Sequence, residues 1–429
     1  ADVIKAEGEK IREDQQRAPV PNPYVIANPV QGALFVGRED ILRRLEELWR
    51  PGGQVSSVVL YGHRRMGKSS VLQNLRLLKL GDDTRIVDFN LQRIGRVDST
   101  GELLHVLCLK LYDCAVADGV DLPEPVATDF CPPQGKPYLA CDRFLARVDG
   151  VRGRRRFLVT VDEFELIEDQ ISAGRVDAHL LAHLRATFQT YPWLIFAFAG
   201  LHRLEELRHD YWHPLFGSVT AVEISYLSAA AARRLITAPS PDFSIDYDAD
   251  AIEHIVALTH GQPYLVQLLC HALVARYNLQ LFEDDTPPPR RFRRADVDHV
   301  VAQPSLFRDG AIYFHGVWNH AVRAAAGPHP AAEPAAAAVP RPARPAALIL
   351  RALSAAGAEG LTADQLSQQA ALPPAEVEAA LRALLRQAVV VPVAASGDSG
   401  APAGGAAAYH IPVALLRRFI VTSPDVSAA

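Results

Sequence analysis

Methionine is nearly absent from this 429-residue chain: Met66 is the single one, and the sequence starts at Ala1. The expectation is a trimmed part of a longer protein. Cysteine is almost as scarce. Cys108, Cys114, Cys131, Cys141 and Cys270 are odd in number, scattered and without a C-x-x-C pair, which excludes a disulfide framework and a structural zinc site and leaves buried reduced thiols. No apolar run is long enough to span a bilayer and no signal peptide is visible, so a cytoplasmic protein with no membrane partner is expected. Neither sign of charge dominates. With a formal net charge of -5 there is no global electrostatic reason to bind nucleic acid or an anionic membrane, and any such contact must be local.

What is present is an ordinary globular balance, 49% hydrophobic and 22% charged, long enough for two or three domains. Residues 1–30 read as a charged helix followed by a Pro/Asn-rich linker. Over 31–226 apolar runs alternate with helical patterns: SVVLY (57–61), RIVDFN (85–90), FLVTVD (157–162), WLIFAFAG (193–200) and TAVEIS (220–225). Continuous apolar runs between helices predict an α/β core, a parallel sheet with helices on both faces. Over 227–324 strands give way to helices with three- and four-residue apolar spacing. Residues 325–345 form an Ala/Pro-rich linker, 346–422 read as three helices and a β-hairpin, and 423–429 as a tail. Three helices with a hairpin form a winged-helix pattern, and Thr362 to Gln365 supply a capping box for its second helix.

One stretch carries chemistry. Gly62-His63-Arg64-Arg65-Met66-Gly67-Lys68-Ser69-Ser70 has the spacing G-x-x-x-x-G-K-S between an apolar strand and an amphipathic helix. Glycines let backbone N–H groups close around phosphates, the lysine reaches the β- and γ-phosphates, and the Ser69 hydroxyl ligates Mg²⁺. A second element ends the run FLVTV in Asp162-Glu163, at the carboxyl end of a buried strand, where ligands of open α/β sheets collect. There Asp162 would hold the Mg²⁺ shell and Glu163 would polarise the attacking water. Lys68 and Glu163 are therefore the expected catalytic pair and Ser69 and Asp162 the expected metal ligands. The alternative is that the pair belongs to a solvated acidic turn, since Glu165, Glu168 and Asp169 continue the charge. The short basic runs PRRFRR (289–294) and RGRRR (152–156) read as a solvated loop and an exposed lead-in to a strand.

Taken in order, NPY (22–24), FVGRED (35–40), LYGHRRMGKSSVLQNL, VDEFELIE, AGLHRLEEL and THGQPYLVQLLCHAL resemble the bacterial STAND class of P-loop ATPases, related to AAA+ proteins and to archaeal origin-recognition ATPases. The resemblance covers residues 20–300. It implies a P-loop NTPase core, a helical lid subdomain and a C-terminal winged helix, with ATP or ADP and Mg²⁺ as cofactors. It implies base contacts from Val36, Gly37 and Arg38, and an approach of Gly261-Gln262-Pro263 from the lid. Arg38 could instead pair with an acid on the helix it opens, and Gly261 and Pro263 suit a helix start in any case. His202 and Arg203, after the strand ending at Gly200, are sensor candidates or a loop pair with Glu205 or Glu206. Gln267 stands where ring motors of this class carry a lid arginine.

The winged helix sharpens the choice of partner. Over 346–422 five arginines (351, 382, 386, 417, 418) balance five acids (Glu359, Asp364, Glu376, Glu378, Asp398), and the helix after the turn opens with Glu376 and Glu378, where a DNA reader needs positive charge. The favoured expectation is a slow ATPase acting as a signal-transducing switch, with self-association or a protein partner and an effector domain upstream. The alternative is a DNA-dependent, initiator- or loader-like ATPase using the winged helix.

Overall fold

A computed structural model describes residues 19–50, 55–131, 133, 135–200, 218–283, 288–324, 345–393 and 407–423. They form two compact units, Pro29–Ser225 and the combination of the chain up to Asn28 with that from Tyr226 onward.

The first unit runs α1 (Glu39–Trp49), β1 (Val58–Tyr61), α2 (Lys68–Gln73), β2 (Thr84–Asn90), α3 (Thr100–Ala117), α4 (Pro137–Val151), β3 (Arg156–Asp162), α5 (Glu165–Ser172), α6 (His179–Thr190), β4 (Leu194–Ala199) and β5 (Thr220–Glu223). The strands form one sheet in the order β2-β3-β4-β1-β5, every pair parallel. β4 is buried along its whole length and β3 everywhere but Arg156, so apolar side chains fill both faces instead of alternating, with Thr160 and Asp162 the polar exceptions in β3. Phe157, Val159, Val161, Phe196 and Phe198 pack on one face with Leu103, Leu107 and Leu111 of α3, Phe144 and Val148 of α4 and Leu181 of α6. Their neighbours Leu158, Thr160, Ile195 and Ala197 point the other way, toward the face on which α2 packs.

The arginine run before β3 is not a solvated lead-in. Arg155 and Arg85 both bond the Asp118 carboxylate, Arg156 donates to Leu80 O and Thr84 Oγ1, and the Arg152 guanidinium lies 5.2 Å from the Trp193 ring centre. The run buckles the amino-terminal ends of β2 and β3 to the turns beside them.

The second unit comprises α7 (Ala229–Thr237), β6 (Asp246–Tyr247), α8 (Ala249–Thr259), α9 (Pro263–Glu283), β7 (Arg291–Phe292), α10 (Arg294–Ala302), α11 (Pro304–Asp309) and α12 (Ala311–Ala324), followed by α13 (Pro345–Ala356), β8 (Leu361–Thr362), α14 (Ala363–Ala370), α15 (Pro374–Arg386), β9 (Val391–Pro392), β10 (Ala408–His410) and α16 (Ala414–Thr422). Helices α13 to α15 with the antiparallel sheet β8-β10-β9 form the winged helix, and Thr362 with Gln365 makes the expected capping box. It packs back on the preceding helices: Phe419 of α16 stacks on Phe314 of α12 at 5.0 Å, and Arg351 of α13 lies 6.0 Å over Trp318. The PRRFRR run is structural as well. Arg291 in β7 pairs with Asp246 and Asp248, and Arg293 with Asp296 forms the capping box of α10.

Residues 19–28 belong to this unit by contact. Asn278 of α9 accepts from Val20 N and donates to Val20 O, His271 O accepts from Asn22, and Gln267 Oε1 accepts from Val25 N. Tyr24 is buried, its hydroxyl bonded to Ile236 O and 3.0 Å from the Tyr247 hydroxyl. Gln267 thus holds this strap.

Candidate nucleotide-binding site

The loop after β1 is shaped by two glycines with different constraints. Gly62 has φ +148° and lies so close to the backbone after β5 that a Cβ would fall 2.1 Å from Ile224 O. Only glycine lets that parallel pair close, with Ile224 N donating to Tyr61 O at 2.7 Å. Gly67 has φ +95° and caps α2, but a Cβ there would meet nothing within 4 Å. Between them Arg64 is exposed, Arg65 takes φ +63° and Met66 is buried, its N donating to His63 O at 3.3 Å. Lys68 is buried and its ammonium donates to Gly62 O at 2.6 Å and His63 O at 3.1 Å, lying across the loop it follows.

Facing it are the carboxylates. Ser69 Oγ donates to Asp162 Oδ1 at 3.1 Å, and the same oxygen accepts from Glu163 N at 3.1 Å. Burial raises the Asp162 carboxyl above its usual range, against the bonds from Ser69 and from the Glu163 backbone, which favour the ionised form. Glu163 sits at φ +56°, the left-handed region where a side chain of this size is strained, and such strain gathers at functional sites. A hydroxyl and a carboxylate so close are a hard-oxygen pair that fits Mg²⁺, whose remaining positions water and phosphate normally fill.

Glu165 is the site residue that sequence reasoning missed. Far from lying in a solvated turn, its carboxyl packs against Gly200, where a Cβ would come within 1.9 Å of Oε2, and Oε2 is enclosed without a hydrogen-bond partner. Burial, held back by a backbone bond and reinforced by contact with Glu163, pushes its carboxyl up to about 8. A carboxyl raised this far keeps its proton to higher pH and can donate a hydrogen bond to its neighbour Glu163. The signal for this was the strand order: β4 lies between β1 and β3 and brings Gly200 beside the turn after Asp162, with Phe164 N donating to Ala199 O at 2.9 Å. Nothing in the local run VDEFELIE distinguishes Glu165 from Glu168.

The other expected residues divide. Val36, Gly37 and Arg38 lead into α1, and the buried Arg38 guanidinium donates to Met66 O at 2.9 Å and to Ser225 O at 2.5 Å. It buttresses the phosphate loop from behind, in place of the ion pair with an α1 acid, and burial lowers it to about 10. Ser70 uses its hydroxyl to accept from Val30 N at 3.0 Å. Gly261, Gln262 and Pro263 belong to the second unit. There Leu227 N donates to Gly261 O at 2.8 Å, a Cβ on Gly261 would lie 2.6 Å from Leu227 O, and Gln262 Oε1 accepts from Leu265 N in the first turn of α9. His202 and Arg203 lie outside the described residues.

No family model matches the chain, and no curated protein matches it in sequence. Solved structures do. The Walker-type ATPase PABY2304 of Pyrococcus abyssi superposes with a TM-score of 0.57 at 16% identity, over 92% of this chain and 99% of that one. The ORC2 protein of Aeropyrum pernix, solved as ADPNP–ADP complexes, superposes with a TM-score of 0.53 at 13% identity, over 90% and 94%. The chain has the P-loop ATPase fold of these proteins: a parallel five-stranded core, a helical region and a winged helix. Among the described residues no helix is long and apolar enough to cross a membrane.

Proposed function

We propose that the protein binds ATP and ADP with Mg²⁺ and hydrolyses ATP slowly, as a STAND-type switch whose nucleotide state governs self-association or engagement of a protein partner. The reading rests on one observation, the Ser69–Asp162 hydrogen bond of 3.1 Å, made next to the buried Lys68 and with Glu163 N donating to the same Asp162 oxygen. Lys68, released from Gly62 O and His63 O, would carry its charge to the β- and γ-phosphates, and Ser69 and Asp162 would hold the metal. Mg²⁺ supplies charge neutralisation on the phosphate oxygens. Glu163 would orient the attacking water and take its proton, and Glu165, protonated, would fix the Glu163 carboxylate by donating to it. The fold similarity to Walker-type and ADPNP-bound proteins supports nucleotide binding. The charge-neutral winged helix, with Phe419 seated on Phe314, supports a protein-facing role over a DNA-reading one.

The test pairs two variants. Lys68→Ala should abolish ATP binding by calorimetry while leaving the unfolding midpoint nearly unchanged. Glu163→Gln should retain ATP binding, lose turnover by at least about 100-fold and shift toward the ATP-bound assembly in light scattering. Parental turnover in Glu163→Gln removes its catalytic role, and salt-dependent DNA binding that stimulates turnover replaces the switch with the DNA-dependent reading.

A further inference from the structure

A second chemically active cluster lies on the other side of the first unit's core, where α3, α4 and α6 meet. Cys108 of α3 and Cys141 of α4 are both reduced and buried, with their sulfurs 3.7 Å apart. His183 of α6 stands beside them, buried, its Nε2 without a hydrogen-bond partner and 3.8 Å from Asp142 Oδ1. The Tyr138 ring lies 4.8 Å from it, while Asp142 itself is largely exposed. The three side chains divide their roles. The bond from Cys108 first, and then His183, outweigh burial and bring the Cys141 thiol down to about 6, whereas burial pushes Cys108 well up. Burial alone would lower His183, but the Cys141 sulfur and Asp142 overcome it and raise the ring. Two thiols in contact, one of them lowered beside a histidine and the other raised, are the arrangement that two-step thiol oxidation uses. Among the described residues no group of three His, Cys, Asp or Glu side chains is placed to hold a metal ion, so the cluster is not a metal site.

We propose that Cys108 and Cys141 are a peroxide-sensitive thiol pair, in which Cys141 is the attacking sulfur, Cys108 the resolving one and His183 the group that stabilises the thiolate. The co-reactant is hydrogen peroxide, a molecule small enough to enter beside Asp142. The Cys141 thiolate attacks one peroxide oxygen, the O–O bond breaks, hydroxide leaves and takes a proton as water, and Cys141 becomes a sulfenic acid. The Cys108 sulfur then attacks Cys141 Sγ, its S–H proton and the sulfenic hydroxyl depart as a second water, and the disulfide forms as the sulfurs close by about 1.7 Å. Two electrons pass from the thiols to one peroxide. The product staples α3 to α4, the helix that feeds β3.

The full chain, reduced and freed of reductant, is treated with hydrogen peroxide; remaining thiols are alkylated in denaturant and the digest is mapped by mass. Expected is a peptide joining residues 108 and 141, lighter by two hydrogens and restored by dithiothreitol. It should form at least about tenfold faster than oxidation of the half-buried Cys114 or Cys131. Cys108→Ser should leave Cys141 as a sulfenic acid that dimedone labels, and His183→Gln should slow that labelling about tenfold. The mapping of the parental chain needs no variant to fold. Earlier oxidation of Cys114 or Cys131, absence of the joined peptide, or equal labelling rates with and without His183 would overturn the proposal.

Discussion

Replacing Gly62 by alanine places a methyl group where no rotamer can relieve it. The added Cβ lies 2.1 Å from Ile224 O and 3.0 Å from Ile224 C, both backbone atoms. A carbon approaches a carbonyl oxygen comfortably at about 3.3 Å, so the loop or the end of β5 must retreat by about 1 Å. That retreat stretches the bond from Ile224 N to Tyr61 O, which holds β5 to β1. Overpacking of this kind costs about 1–3 kcal/mol, and a backbone at φ +148° in a residue other than glycine costs about 1–3 kcal/mol more. Gly67→Ala supplies the control. Its φ of +95° is strained for alanine too, but nothing lies within 4 Å of the new Cβ, so only the conformational part remains, about 1–2 kcal/mol. Urea unfolding of the two variants should therefore give a lower midpoint for Gly62→Ala, by a margin of about 2 kcal/mol. Equal losses, or a larger loss in Gly67→Ala, would refute the close approach of Ile224 as the reason for glycine at 62.

Three further outcomes are expected. The Glu165 carboxyl, raised from 4.5 to about 8, contributes stability that is complete below about pH 4.5 and lost as pH rises to about 8; Glu165→Gln should flatten that fall, so that the variant overtakes the parent in urea midpoints above pH 8. Tyr24→Phe leaves Ile236 O without its buried donor and should cost about 1–3 kcal/mol in the same assay, with no change in ATP affinity. Removal of 346–429 should leave ATP binding measurable by calorimetry but uncover Phe314 and Trp318 of α12, so increased binding of a hydrophobic dye is expected alongside it.

The core strands were legible because burial on both faces writes itself into composition: Leu194–Ala199 is apolar without a break and Phe157–Val161 is interrupted only by the buried Thr160. The loop after the first strand was legible because its glycine spacing is local, and the Asp162 end of the buried strand lies beside it, with Ser69 Oγ donating to Asp162 Oδ1. What the sequence did not reveal depends on strand order or on distant partners. Glu165 reads like any surface acid until β4 brings Gly200 beside it. The targets of Arg38, Met66 O and Ser225 O, are main-chain carbonyls with no sequence signature. The basic runs at 152–156 and 289–294 look solvated because the acids that neutralise them, Asp118, Asp246 and Asp248, lie tens of residues away in the chain.

The strap of residues 19–28 sets an order of events on the ribosome. Val20 waits for Asn278, made 258 residues later, and Tyr24 for Ile236, made 212 residues later. At elongation rates of about 5–20 residues per second, Val20 stays without its partner for roughly 13–50 s. The segment 29–225 is continuous and its described strands are all made by then, so the P-loop-fold core can form while Tyr24 is still exposed. Residues 19–28 are therefore made well before their native contacts can form, and the helical unit closes only after the strand at Thr220–Glu223 has been made.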